Sequence, residues 1–301
     1  MKLHNNKEKF LNIINQISID RNIDLALIEK DYYITLFLKE LVNSMPHVIF
    51  KGGTSLSKCY KIINRFSEDV DLTLDYNYST QGFKKLLKST IVDICNKLNF
   101  KILNIDEIRS RRDYNCYIIK YPTQHLANVL KPYILIETTY ITESFPTEQK
   151  EVSSIIYEYL KKTNNEKIIQ EYNLDPFMMS VQTLDRTLVD KVFAICDYML
   201  NNKTERLSRH IYDIYQLLKE VKLDSTLKLL IKDVRTLRKT HAKCYSAQDQ
   251  VIINDLLKQI IDSEYYKEDY INVTKNLLSK DVSYDEAIKG LEEIIKSKIF
   301  E

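Results

Sequence analysis

Asp69 and Asp71 stand one residue apart in the stretch SEDVDLTL. Side chains two apart on a strand share a face, so the two carboxylates stand together while Val70 and Leu72 turn toward a core. Shortly before them, VIFKGGTSLSK sets Gly52 beside Gly53, two of only four glycines in 301 residues. Glycine permits positive φ and close approach of the backbone to a ligand. A helix opening there, from about Thr54, would aim free N–H groups and its positive dipole end at an anion. Thr54 and Ser55 add hydroxyls to that first turn, and Lys51 and Lys58 add cations. A phosphate cradle beside paired carboxylates is the minimum equipment for holding a metal–nucleotide complex. Each fragment alone has an ordinary reading: a tight turn, a solvated strand end, a helix cap, surface lysines. Their order, with one helix between, makes the combination specific.

These residues need a short strand (Val48 to Phe50), the diglycine turn, a helix and a second strand carrying the aspartates. Residues 7 to 45 predict two preceding helices, with Leu25, Leu27, Ile28, Tyr32, Ile34, Phe37, Leu38 and Leu41 near helical period and Pro46 as the stop. Ser79 can cap a helix running to about Leu98. Strands follow at Phe100 to Ile105, at Tyr114 to Tyr121 after the basic hairpin Arg109 to Arg112, and at Tyr133 to Tyr140. Glu137 closes the apolar run of the last one. A carboxylate on a buried strand needs a metal or a partner, so Glu137 is the third candidate ligand. Glu68, facing away from the pair, and Asp75, at the outer strand end, are poorer choices. Beyond about residue 150 the strand pattern stops and helices fill 151–162, 181–201, 205–220, 225–243, 246–262, 265–279 and 283–299. The expected fold is α+β: a mixed-sheet domain with N-terminal helices over 1–150, and an all-helical domain over 151–301 that completes a cleft.

KGGTSLSK followed by RFSEDVDL resembles the signature of the AbiEii/AbiGii toxin group of DNA polymerase β-like nucleotidyltransferases. That superfamily's first motif is a G-G or G-S turn followed, after one helix, by D-x-D or D-x-E on the next strand. LIEKDYYITLFLKEL resembles the group's N-terminal helix, and TLDRTLVDKVFAICDY and RHIYDIYQL resemble its two later motifs. The matching segments run from residue 27 to about 217. The resemblance implies Mg2+ or Mn2+ on Asp69, Asp71 and Glu137, the last as ligand or as base for the acceptor hydroxyl. It implies a nucleoside triphosphate near Gly52, Gly53, Thr54, Ser55, Lys51, Lys58 and Arg209. Lys191 would contact the triphosphate, and Asp213 would be an acid essential for activity. Arg65 matches the family's arginine without an assigned task. On spacing alone, Arg186 and Asp190 are an i,i+4 pair, and His210 at a helix start is structural rather than a base.

The implied function is the toxin of a toxin–antitoxin or phage-defence pair, partnered by an antitoxin encoded next to it. Such an enzyme moves a nucleoside monophosphate from a triphosphate to an acceptor, the tRNA 3′ end first among them. Two alternatives stay open: nucleotidylation of a protein side chain, and a nucleotide- or RNA-binding module of the same fold without turnover. The presence of Gly53, Asp69, Asp71, Lys191 and Asp213 together argues against the second.

Composition sets the outer bounds. Apolar residues at 44% support a packed core, and 44 basic against 42 acidic side chains announce no polyanion partner. Five cysteines without C-x-x-C point to reduced thiols in the cytoplasm. The N-terminus has no apolar leader and no run approaches the ~18 residues of a membrane span. Lys228, Lys232, Arg235, Arg238, Lys239 and Lys243 recur at helical spacing. This basic stripe is a weak nucleic-acid footprint, with a solvated face as the ordinary alternative.

Overall fold

Capping side chains set where the first helices begin. Asn6 accepts a hydrogen bond from Lys9 N (3.1 Å) to open α1 (Lys7–Arg21), and Asp24 accepts from Ala26 N (2.8 Å) to open α2 (Leu25–Ser44). Between them Asn22 takes the left-handed conformation that ends a helix. In this computed structural model the described residues are all but Glu68, 124–131 and Thr142.

The chain then forms β1 (Val48–Lys51), the short helix α3 (Gly52–Ser55), which continues as a π-helical turn over Leu56–Tyr60, and β2 (Asp69–Leu74). Helix α4 (Gln81–Lys97) is capped by Thr80 rather than the expected Ser79. Ser79 stands one residue too early, where its N–H donates to Tyr76 O and closes a 3-10 turn over Tyr76–Tyr78. Next come β3 (Lys101–Ile102), β4 (Tyr114–Lys120), β5 (Ile134–Thr139), β6 (Thr147–Val152), α5 (Ile155–Lys162), α6 (Glu166–Tyr172) and β7 (Phe177–Gln182).

Strand pairing therefore continues past residue 150, where the sequence predicts only helix. β7 lies parallel to β1, with Ile49 opposite Ser180 and Phe50 opposite Val181. Its pairing is wholly non-local, and its FMMSVQ lacks the alternation that would announce it.

The seven strands take the order β3-β4-β5-β2-β1-β7-β6. β2 runs antiparallel to β1 and parallel to β5, and β4 is antiparallel to β5. One sheet face is apolar: Phe50, Val70, Leu72, Ile119 and Ile136 are buried in one cluster with Tyr33, Phe37, Leu38 and Leu41 of α2. Burying each such side chain contributes about 1.5–3 kcal/mol. The strand period of two leaves Asp69 and Asp71 on the other face, half-buried.

The chain divides into two compact units. The first holds the sheet and comprises Met1–Tyr60, Ser67–Tyr140 and Thr147–Val181. The second comprises Lys61–Phe66, Ile141–Pro146 and Gln182–Glu301. Its main helices are α7 (Leu184–Leu200), α8 (Arg209–Leu217), α9 (Ser225–Lys239), α10 (Ile253–Asp262) and a C-terminal helix, Tyr284–Ser297.

Candidate active site

Register places the first unit's polar residues. Asp71 lies opposite Lys51 on β1 and opposite Glu137 on β5, and Glu137 in turn lies opposite Cys116 on β4. Lys51, Asp71, Glu137 and Cys116 thus form a row across four strands, with neighbours about 4.8 Å apart in the hydrogen-bonding direction. Asp69, two residues before Asp71, shares their face. Tyr114, two before Cys116, sets its phenol within reach of Glu137 and of the Cys116 thiol. Burial, and then the Glu137 charge, push the Tyr114 phenol up. Sequence reasoning missed Tyr114 and Cys116, although β-strand alternation puts both on the face of Glu137.

The diglycine turn touches this row. Gly52 has φ +75, and a β-carbon there would lie 1.8 Å from Asp71 Oδ2. Only a residue without a side chain leaves the carboxylate its place. The hydroxyls expected to hold phosphates are used otherwise. Thr54 donates to the carbonyl of Asp69, and Ser55 donates to that of Gly52 (2.9 Å). Both residues are buried, so their hydroxyls lock the turn to β2 and to itself. What the turn offers an anion is backbone N–H. Lys58 is likewise committed, as a buried ion pair with Asp31 of α2. The other Asp31 oxygen accepts from Ile155 N (2.8 Å) at the start of α5. Asp31 belongs to the LIEKDYY segment noted above, but nothing local marked it as the partner of Lys58. Glu68, judged to face away, lies outside the described residues.

The second unit gathers the later motifs. Arg65 grips Asp213 with two hydrogen bonds, Nε to Oδ1 at 2.7 Å and Nη2 to Oδ2 at 2.6 Å. Lys191 reaches the same Oδ2 at 2.7 Å. Arg65, Lys191 and Asp213 are all buried. Burial alone would raise the Asp213 carboxyl, but the charges and hydrogen bonds of Arg65 and Lys191 hold it well below the usual carboxylate range. Burial lowers the Lys191 ammonium, Asp213 opposes that, and Arg65 and Arg209 add to it. Beside them, burial followed by the charges of Lys191 and Arg209 holds His210 well below its ordinary value, as a neutral ring.

The i,i+4 pair of Arg186 with Asp190 forms (3.1 Å), but Arg186 is fully buried and not a surface residue. The basic stripe is partly dismantled. Arg238 pairs with Asp197 (2.7 Å) and Asp190 (3.5 Å), and Arg235 donates to the carbonyls of Ala247, Gln248 and Val251. Lys228, Lys232 and Lys243 remain exposed.

The family profile described as "Nucleotidyl transferase AbiEii toxin, Type IV TA system" matches residues 36–290. The chain belongs to the AbiEii nucleotidyltransferase toxin family. It is an enzyme of the nucleotidyltransferase class and the toxin of a type IV toxin–antitoxin system. Among solved structures it is similar to MenT4, a nucleotidyltransferase toxin from Mycobacterium tuberculosis, at 13% identity and TM-score 0.56, covering 95% of this chain and 88% of that one. It is also similar to JHP933 from Helicobacter pylori, at 16% identity and TM-score 0.49, covering 92% and 93%. No curated protein sequence matches it. The α+β fold expected from the sequence agrees with the MenT4 likeness.

Asp69, Asp71 and Glu137 are the side chains here that could hold a metal. Among the described residues no three His, Cys, Asp or Glu side chains are already drawn together as a cage. The donor set nevertheless suits a hard divalent ion: Asp69, Asp71 and Glu137 offer only oxygen from one face, and the missing side chain at Gly52 lets Asp71 keep its carboxylate against the turn. No helix among the described residues is long and apolar enough to cross a membrane.

Proposed function

We propose that this toxin transfers a nucleoside monophosphate from a nucleoside triphosphate to the 3′ end of tRNA, with release of pyrophosphate and arrest of translation. The observation that carries the reading is the contact between Gly52 and Asp71, which joins the anion-binding turn to the carboxylate face. Asp69, Asp71 and Glu137 would hold Mg2+ or Mn2+. Bound there, the ion would neutralise phosphate charge and orient the triphosphate. The chain's own groups do the rest. Backbone N–H groups after Gly52 and Gly53 donate to the phosphate oxygens, Lys51 lines the same face, and Tyr114 fixes the direction of Glu137. Lys191 and Arg209 supply the positive charge that a departing pyrophosphate needs. Exposed Lys228, Lys232 and Lys243 suit an RNA backbone, and the antitoxin is the cognate partner encoded beside the toxin.

The test is incubation with each α-labelled triphosphate, Mg2+ and total tRNA, followed by a denaturing gel. Label in the tRNA band, absent with Asp71→Ala, supports the proposal. Label confined to a protein band moves the acceptor to a side chain, and no label with any triphosphate defeats the reading.

A further inference from the structure

We infer that Arg65 and Asp213 are positioning residues that hold Lys191 for the triphosphate, and that Asp213 neither takes a proton from the acceptor nor holds the metal. This rests on the proposal that Lys191 serves the triphosphate, and it gives Arg65 a task.

The geometry leaves Asp213 no other role. Oδ1 accepts from Arg65 Nε, and Oδ2 lies against both Arg65 Nη2 and the Lys191 ammonium. Its side chain is 0% exposed, so neither oxygen meets solvent. A carboxylate fixed between two cations is a poor base, and a metal ion placed against it would add a third positive charge.

The arginine is needed for shape as well as charge. Its planar fork binds both oxygens at once and fixes the carboxylate plane, which a lysine cannot do. Oδ2 then offers Lys191 one defined position. Charge points the same way. A lysine paired alone with an aspartate would cancel itself, whereas here two cations share one carboxylate and the triad stays cationic.

Polar groups at this cluster also await partners. Among the described residues Asp213 is the sole ion-pair partner of Lys191, whose side chain is only 7% exposed. An ammonium carries three donors, so others remain for phosphate oxygens. His210 Nδ1, beside it, is buried and has no hydrogen-bond partner among the described residues.

The experiment is calorimetric titration with the α,β-methylene analogues of ATP, GTP, CTP and UTP in Mg2+, since the chain has no tryptophan to report binding by fluorescence. For whichever analogue the wild type binds, Asp213→Asn, Arg65→Lys and Lys191→Ala should each bind it about tenfold or more weakly, the loss expected for a charged hydrogen bond. The double variant Lys191→Ala with Asp213→Asn should bind no more weakly than Lys191→Ala alone. Wild-type affinity in Asp213→Asn with loss of tRNA labelling would assign Asp213 to the chemistry and overturn the inference. So would a full additional loss when Asp213→Asn is added to Lys191→Ala. Melting curves check folding, and if Asp213→Asn does not fold, full affinity in folded Arg65→Lys overturns the inference by itself. Undiminished binding by Lys191→Ala also overturns it. That result is separable from failure of the carboxylate site, which Asp71→Ala reports by loss of labelling.

Discussion

A β-carbon on Gly52 would sit 1.8 Å from Asp71 Oδ2, well inside van der Waals contact. Gly52→Ala must therefore displace either the turn or the carboxylate, and it also strains a backbone at φ +75. We expect loss of nucleotidyl transfer and destabilisation of about 1–2 kcal/mol or more, read from tRNA labelling and urea denaturation. Gly82→Ala is the internal control: its β-carbon meets nothing nearer than Thr80 Oγ1 at 3.8 Å. Exposed in the first turn of α4, it should shift stability by no more than about 0.5 kcal/mol.

Asp71→Ala should abolish both transfer and growth arrest on induction. The residue is half-buried at the polar face, so stability should change by no more than about 1 kcal/mol. A folded, well-expressed variant that still arrests growth would refute the carboxylate mechanism.

Asp31→Ala should behave in the opposite way. It strands the buried Lys58 ammonium and removes the acceptor of Ile155 N. Breaking a buried pair from one side costs about 3–5 kcal/mol, so the urea midpoint should fall sharply. Replacing Asp31 and Lys58 together by apolar residues should recover much of the loss.

Stability should decline in acid through two windows. An unfolded His210 takes up its proton near 6.5, whereas the folded ring resists it. The unfolded state thus gains protons first as the pH drops below 6.5, and stability falls. His4, lowered by burial and then by Lys2, adds a slope of the same sign. Asp213 contributes fully above 3.8, and its contribution is lost as the pH falls below that value toward its depressed folded one. Denaturation midpoints measured from pH 8 to 3 should show a shallower upper slope in His210→Gln and a shallower lower slope in Asp213→Asn.

Within the basic stripe, position decides the effect. Lys232→Ala should weaken tRNA binding and reduce its salt dependence, by a slope of about one in log–log terms, while leaving the melting temperature unchanged. Arg238→Ala should lower the melting temperature, because Asp197 and Asp190 each lose one ion-pair partner.

How far the sequence could be read followed the range of each interaction. Asp69 and Asp71 were legible because a strand's period is local, and Glu137 because its apolar neighbours marked the strand. The triad of Arg65, Lys191 and Asp213 was visible only as separate motif residues, since nothing local says that Arg65 meets Asp213 across a separation of 148 residues. Lys58 and the hydroxyls of Thr54 and Ser55 looked like phosphate ligands for the same reason. Their spacing is local, but Asp31, 27 residues upstream, and the carbonyl of Asp69 decide where Lys58 and Thr54 point, while Ser55 turns back on the carbonyl of Gly52. Arg235 and Arg238 kept their expected helix and lost their expected freedom to acids and carbonyls elsewhere in the chain.

The place of β2 in the sheet order limits how a protein inhibitor can work. It is the fourth of seven strands, with β3 and β6 at the two edges. A partner that adds a strand to an open edge would run alongside β3 or β6. At about 4.8 Å per strand, those edge strands already lie about 14 Å from Asp71. Edge docking leaves the carboxylates uncovered on either side, so a polypeptide that silences this enzyme by direct occlusion must descend over the face of the sheet.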